Sequence, residues 1–137
     1  IDANFVKSIR GMIMKLREPK VFTLEEARQT LPFVKRIITD IVSLSGRLSE
    51  VDHSIRRTDD ITKRKELFLR KEELLSDRRA YQKELDMVGC HLKNSESGLV
   101  AYYWDRGDGL IVELLWQYGQ DDIYYLNEIG SDKFIPL

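Results

Sequence analysis

The chain has 137 residues, of which 42% are hydrophobic and 33% are charged, and its formal net charge is −1. These values predict one helix-rich domain, and the net charge alone points to no class of partner. No apolar run reaches the roughly 18 residues of a membrane-spanning helix, and the single cysteine, Cys90, excludes an intrachain disulfide. We therefore expect a cytoplasmic protein.

The first 20 residues have the pattern of an amphipathic helix. Phe5, Ile9 and Leu16 recur at helical spacing with basic residues between them, and Pro19 ends the pattern. A basic helix of this kind can lie on a membrane surface, but this one is short and has no tryptophan anchor. We expect residues 1–20 to form an N-terminal arm that packs on the domain or on a second copy.

A capping box and a proline mark the start of the helical part. Thr23 followed by Glu26 predicts a helix that begins at about Leu24, and Pro32 predicts a kink or break after about Thr30. The long helix that follows has a heptad seam, in which apolar residues alternate at steps of three and four. The seam residues are Val34, Ile37, Ile41, Leu44, Leu48, Val51 and Ile55. Such a seam must be covered by another element.

A second helix is predicted from about Ile61 to Val88, with aspartates before it and Gly89 as its C-terminal residue. Two long helices with a short connection form an antiparallel, coiled-coil-like hairpin, here over about residues 31–88. Lys71 and Arg78 interrupt the apolar pattern of the second helix, which predicts a gap in the cover that it provides. A second subunit could complete the core, so we expect a homodimer.

Short strands follow the second helix. Strand-forming residues predict strands over Leu99–Trp104, Leu110–Trp116 and Ile123–Leu126, separated by glycine-containing turns. Tight turns between them indicate a three-stranded antiparallel meander over about residues 99–127, and such a small sheet needs a helical layer on one face. We therefore predict an α+β fold, with the hairpin and the sheet in one domain over residues 21–137.

Few residues could carry chemistry. Cys90 and His91 are adjacent, and in an extended chain their side chains point in opposite directions, which disfavours a shared metal or a catalytic dyad. The only other histidine is His53, so no zinc pattern of cysteines and histidines is present. Basic residues along the second helix alternate with acidic ones, which indicates a solvated face. We expect no catalytic residues and neither a nucleic acid nor a membrane as partner.

A series of short motifs runs in order along residues 21–137. They are Phe22-Thr23-Leu24-Glu25-Glu26-Ala27, Leu31-Pro32, Gly89, Leu92-Lys93, Gly98-Leu99-Val100, Trp116, Gly119, Ile123, Tyr125 and Glu128. In order and spacing the chain resembles the uncharacterised bacterial family catalogued as domain of unknown function 2203. That family has no established activity, so the resemblance supports a fold more than a function.

The resemblance also implies a small polar site that this chain keeps only in part. Typical members have an aspartate after Gly-Leu-Val, a cysteine before the tryptophan, and a Trp-His-Glu run in the third strand. The matching positions here are Ala101, Leu115 and Leu126-Asn127-Glu128, so only the glutamate keeps its type. This departure lowers the expectation of an enzyme.

Two functions follow from these patterns. The first is a non-enzymatic module that self-associates or binds a partner. The alternative is a domain that binds a metal or a small ligand, or an enzyme, with a site where the sheet meets the preceding loop. That site would be formed by His91, Trp116, Asn127 and Glu128, together with Asp105 or Glu113. A metal there would use His91 and Glu128, and no cofactor can be identified.

Overall fold

The computed structural model describes residues 20–137, so the predicted arm over residues 1–20 lies outside the described residues except for Lys20. Two long helices form a hairpin and pack with a sheet, which confirms the predicted α+β class. The elements are β1 (Val21–Phe22), α1 (Leu24–Arg57), α2 (Ile61–Val88), β2 (His91–Asn94), β3 (Leu99–Asp105), β4 (Ile111–Gln117), β5 (Tyr125–Glu128) and β6 (Ile135–Pro136). Neither of these two helices combines the length and hydropathy needed to cross a membrane.

Helix α1 begins at the predicted capping box. The Thr23 hydroxyl accepts a hydrogen bond from the Glu26 N–H at 3.1 Å, and the Glu26 carboxylate accepts one from the Thr23 N–H at 3.0 Å. The predicted break at Pro32 is wrong, because α1 continues through it. Pro32 lies on the exposed side while Leu31 and Val34 are buried, so packing on both sides compensates for the missing backbone hydrogen bond.

Helix α2 has the predicted ends. The Asp60 side chain accepts a hydrogen bond from the Thr62 N–H at 3.0 Å. At the other end Gly89 is left-handed, with a φ of 103°, and its N–H donates to the carbonyl of Leu85 at 3.0 Å. Both caps satisfy backbone groups that a helix end leaves unpaired.

Two elements of the same chain cover the seam of α1. The part from Val34 to Ile41 joins a core cluster that contains Tyr102 and Trp116 of the sheet. The next part forms a smaller cluster around Leu74 of α2. Every seam residue is buried except Val51, which is half-buried. The sheet and the C-terminal part of α2, through Leu85, therefore cover the first half of the seam, and α2 around Leu74 covers the part near Leu44 and Leu48.

The sheet is larger than the predicted three-stranded meander. Its order is β1-β3-β4-β5-β6, with β2 also paired to β3, and β1 runs parallel to β3 while the other pairs are antiparallel. The third predicted strand is Tyr125–Glu128 instead of Ile123–Leu126, because Ile123 packs in the core before the strand begins. Strands β1, β2 and β6 have only 2, 4 and 2 residues, too few for a recognisable alternating pattern.

The two faces of the sheet have different surroundings. Leu114 and Trp116 of β4 belong to the core cluster with α1, whereas Glu113 and Leu115 alternate with them and point the other way. We call this other side the second face. Its residues in the three central strands include Ala101, Tyr103, Glu113, Leu115, Tyr125 and Asn127.

Gly98 lies where the turn before β3 meets α1. Its φ is +74°, and a Cβ at this position would lie 2.6 Å from Tyr118 Cβ and 2.9 Å from Ile38 Cγ2. The left-handed backbone and the close approach both require glycine. Gly98 therefore sets how closely the sheet approaches α1.

We expect Gly98→Ala to lower the free energy of unfolding by about 3 kcal/mol, since it adds overpacking to backbone strain. Gly107→Ala is the matched control, because its φ is +97° but nothing lies within 4 Å of an added Cβ. That control should cost only about 1 kcal/mol of backbone strain. Urea denaturation measures both, and equal losses would contradict the crowding at Gly98.

Candidate functional site

Polar side chains form a small group on the second face of the sheet. Glu113 in β4 lies opposite Tyr103 of β3 on one side and Asn127 of β5 on the other. His91 of β2 pairs with Ala101, two residues before Tyr103. Strand register thus brings together residues that are far apart in sequence.

Glu113 is a buried carboxylate held by two neighbours. Its side chain is 5% exposed, its Oε2 accepts a hydrogen bond from His91 Nε2 at 2.6 Å, and its Oε1 accepts one from Lys93 Nζ at 2.8 Å. The His91 ring also packs against the Tyr103 ring, with 4.9 Å between centroids. A buried charge is tolerated when it is paired in this way, and the ammonium of Lys93 balances the charge of the carboxylate.

Asn127 is buried beside Glu113, and only one of the two polar atoms of its side-chain amide has a hydrogen-bond partner. Its Nδ2 donates a hydrogen bond to the carbonyl oxygen of Ser131 at 2.8 Å. Because that partner can only accept, the orientation of the amide is determined. Its Oδ1 is buried and has no hydrogen-bond partner among the described residues. A buried acceptor without a donor costs free energy, so the site lacks a donor that something else could supply.

An apolar depression adjoins this polar group. It has a volume of about 280 Å³ and is lined by Val21, Tyr103, Ile111 and Ile129. Tyr103 is the register partner of both Val21 and the carboxylate residue of β4, so the depression continues the same row of the second face. Val21 and Ile129 are 48% and 58% exposed, and this surface is therefore open to a ligand.

The structure places the sequence-predicted site residues on both sides of the sheet. His91 and Asn127 lie on the second face near the buried carboxylate. Trp116 is buried on the other side, where its indole Nε1–H donates to the Gln120 carbonyl at 3.1 Å. Glu128 is exposed, and its register partner Val112 belongs to the helix-facing side of β4.

Lys93 is a site residue that sequence reasoning missed. It follows His91 by two positions on a short edge strand, where alternation directs both side chains to Glu113. The sequence feature that pointed to it is Glu113 within the apolar run Ile111–Trp116, since a glutamate inside a buried strand needs a cation nearby. Locating that cation requires the strand register.

The donor set on the second face does not favour a metal ion. Within residues 20–137, no three His, Cys, Asp or Glu side chains come close enough to hold one. His91 and Glu113 supply two potential ligands, but the ammonium of Lys93 lies 2.8 Å from the carboxylate. This positive charge would repel a cation bound at the same oxygens.

Cys90 belongs to the hydrophobic core and does not reach this group. It is 3% exposed, and its Sγ lies 3.9 Å from the carbonyl oxygen of Leu85. Burial raises the pKa of the Cys90 thiol to about 12. The thiol is therefore neutral at physiological pH, and neutral thiols are poor nucleophiles.

We expect Cys90 to resist thiol reagents while the protein is folded. At pH 8, labelling by 5,5′-dithiobis(2-nitrobenzoate) should be about a hundredfold slower or more than in 8 M urea, because reaction requires opening of the core. Absorbance at 412 nm follows the reaction. Complete labelling within minutes, with the circular dichroism spectrum unchanged, would contradict the buried and protonated state.

Glu113→Gln should lower the free energy of unfolding by about 2 kcal/mol, because it removes the carboxylate that pairs with His91 and Lys93. The expected loss is moderate because those two side chains are 35% and 29% exposed and regain water. Glu128→Gln is the control, an exposed glutamate of the same sheet. It should change stability by less than about 0.5 kcal/mol in the same urea titration. Equal effects at the two positions would contradict the pairing.

Comparison with known proteins identifies a family without adding an activity. A family model described as an uncharacterized conserved protein, domain of unknown function 2203, matches residues 20–131. No curated protein and no solved structure gives a significant match to the chain. The match spans both helices and the central strands, including Glu113 and Asn127. The chain therefore belongs to the family of domain of unknown function 2203.

Proposed function

We propose that the chain is a non-enzymatic binding domain whose second-face site takes a neutral organic ligand with an apolar body and a hydrogen-bond donor. The observation that carries this proposal is the unpartnered, buried Oδ1 of Asn127. A ligand hydroxyl or amide N–H that displaces the side chains covering this oxygen would supply the missing donor. Binding would then recover the free energy that the unpaired oxygen costs the unbound protein.

The charges around Asn127 favour a neutral donor. Lys93 balances the charge of Glu113, and both carboxylate oxygens already accept hydrogen bonds. A ligand ammonium would meet the ammonium of Lys93, while a ligand carboxylate would meet Glu113 and an acceptor oxygen. A neutral hydroxyl or amide avoids both repulsions.

The apolar depression supports the second part of the proposal. Its walls are formed by Val21, Tyr103, Ile111 and Ile129, which present carbon atoms to a ligand. The volume of about 280 Å³ suits a body about as large as one aromatic ring with a short substituent. Ligand pockets commonly combine an apolar lining with a few placed polar groups.

Catalysis is not favoured by the same geometry. The carboxylate of Glu113 is held by two partners, so it is not free to take a proton from a substrate. The only cysteine is buried and neutral. The polar groups of this face therefore suit recognition better than reaction.

Self-association remains a prediction, but the uncovered seam on which it is based is covered within one chain. The prediction of a dimer rests on a seam of α1 that needs more cover than α2 alone provides. The seam is buried within a single chain by the sheet and α2 together. A second copy is therefore not required to complete this core.

Titration with benzyl alcohol tests the proposed ligand chemistry. We expect dissociation constants in the millimolar range and shifts in the ¹H–¹⁵N spectrum at the Asn127 side chain and at Tyr103. Benzyl methyl ether is the matched control, since it keeps the ring but lacks the hydroxyl donor. It should bind about fivefold more weakly or worse. Equal binding of the two compounds would contradict the role of the amide oxygen.

Asn127→Leu separates recognition from stability. The leucine removes the unpaired oxygen, so we expect benzyl alcohol to lose its advantage over the ether. It also removes the hydrogen bond to the Ser131 carbonyl, and because this loss opposes the gain from removing an unpaired buried acceptor, the protein should unfold at a similar urea concentration. Asn94→Leu is unsuitable as a control, because Asn94 orders a turn through two backbone hydrogen bonds. Gln117→Leu, at the far end of β4, is the better comparison, because like Asn127→Leu it removes one side-chain hydrogen bond to a backbone carbonyl, here that of Ser97, and it should keep the preference for the alcohol.

A further inference from the structure

A second cleft lies between the two helices, away from the residues of the second face. It has a volume of about 490 Å³. Its α1 wall comes from Ser45, Leu48, Ser49, Asp52 and Arg56, and its α2 wall from Lys71, Leu75 and Arg78. In both sets, residues recur at steps of three, four and seven, so each set is one stripe of its helix facing the other. This is the gap that the interrupted apolar pattern of α2 predicts.

The roof of the cleft is a fixed turn. Ser95 and Glu96, between β2 and β3, complete the lining. The Asn94 side chain accepts hydrogen bonds from the N–H groups of Glu96 and Ser97 at 2.9 and 3.0 Å. The Ser45 hydroxyl shares its proton between the Ile41 carbonyl at 3.0 Å and the Ser95 carbonyl at 3.1 Å, and the second contact connects the turn to α1. The cleft is therefore bounded on three sides by ordered structure.

Positive charge exceeds negative charge in this cleft. Lys71 Nζ lies 2.7 Å from Asp52 Oδ1, so these two groups neutralise each other. In the part of the chain that the structure describes, neither Arg56 nor Arg78 has a carboxylate oxygen within 4.0 Å. Glu96 is the only other acidic residue of the lining, which leaves a net charge of +1 from two arginines and one glutamate.

Arg78 is placed at some cost to the packing of the hairpin. It lies four residues after the fully buried Leu74 on the same helical face, and it is half-buried. An apolar side chain there would extend the Leu44, Leu48 and Leu74 cluster along the seam. The Arg78 guanidinium has no carboxylate partner among the described residues, and it gives up the burial that an apolar side chain would gain there. Its planar fork does match the geometry of phosphate oxygens.

We propose that this inter-helical cleft binds the phosphate group of a small phosphorylated metabolite. Arg56 and Arg78 would contact the phosphate oxygens from opposite walls, and the Ser49 hydroxyl would donate a further hydrogen bond. The serine and carboxylate oxygens around them would accept hydrogen bonds from hydroxyl groups on the rest of the metabolite. The cleft is large enough for a sugar phosphate. This site is independent of the ligand proposed for the second face.

Calorimetric titration with glucose 6-phosphate, inorganic phosphate and glucose tests the proposal. We expect both phosphates to bind, glucose 6-phosphate about tenfold more tightly, and glucose alone not to bind measurably. Both affinities should fall as sodium chloride is raised from 50 to 300 mM. Binding of glucose as tight as its phosphate, or no binding of either phosphate at millimolar concentration, would overturn the proposal.

Neighbouring arginines provide matched controls. Arg56→Gln and Arg78→Gln should each weaken glucose 6-phosphate binding about tenfold, whereas Arg57→Gln and Arg79→Gln, which remove equal charge outside the lining, should change it less than about twofold. Equal effects of all four would indicate a diffuse basic surface and overturn the site. Tight binding of a single-stranded oligonucleotide, lost with any of the four, would instead assign the surface to nucleic acid.

Stability measurements keep the result interpretable. Arg78 has no carboxylate partner among the described residues, so Arg78→Gln should leave the urea midpoint nearly unchanged. Arg78→Lys keeps the charge but loses the planar fork, and it should weaken binding about threefold. Asn127→Leu should not affect phosphate binding. A loss of phosphate binding in that variant would overturn the independence of the two sites.

Discussion

Burial of one apolar stripe on α1 holds both halves of the structure together. The stripe packs on the sheet near Ile38 and Ile41, and on α2 near Leu44 and Leu48. Gly98 permits the close approach of the sheet, since a side chain at this position would collide with the helix. Because the same helix positions both partners, the second face of the sheet and the inter-helical cleft depend on one packing interaction.

Both proposed sites lie where a polar residue interrupts an apolar pattern. Glu113 interrupts the apolar strand β4, and Lys71 and Arg78 interrupt the apolar pattern of α2. The two interruptions are resolved differently. The carboxylate is enclosed and paired, so its surroundings are nearly neutral, while the cleft is open and keeps an excess of positive charge. The first therefore suits a neutral donor and the second an anion.

Features that depend on neighbouring residues could be predicted from the sequence. The capping box at Thr23 and the left-handed Gly89 involve contacts within five residues, and both are confirmed. Pro32 shows the limit of local reasoning, because burial of the residues around it overrides the tendency of proline to end a helix. The β-strand of two residues before α1 has no pattern of its own and exists only because β3 is beside it.

The candidate site depends on information that is not local. Strand alternation separates Trp116 from Glu113, but only the register shows that Glu113 lies opposite Asn127. The pairing of β2 with β3 brings Lys93 into reach of the carboxylate, and a four-residue edge strand gives little indication of its register. The sequence therefore suggests several of the residue types, while their arrangement follows from the sheet.

The parallel pairing of β1 with β3 also bears on the order of folding. Val21 and Phe22 meet Tyr103 and Trp104 across the whole helical hairpin, so this contact closes the longest loop in the described sheet. Loop closure of this length carries a larger entropic cost than the turns between β3, β4 and β5. The hairpin and the central strands should form before this edge closes. Since Val21 is a wall of the apolar depression, that pocket would be completed only in the last stage of folding.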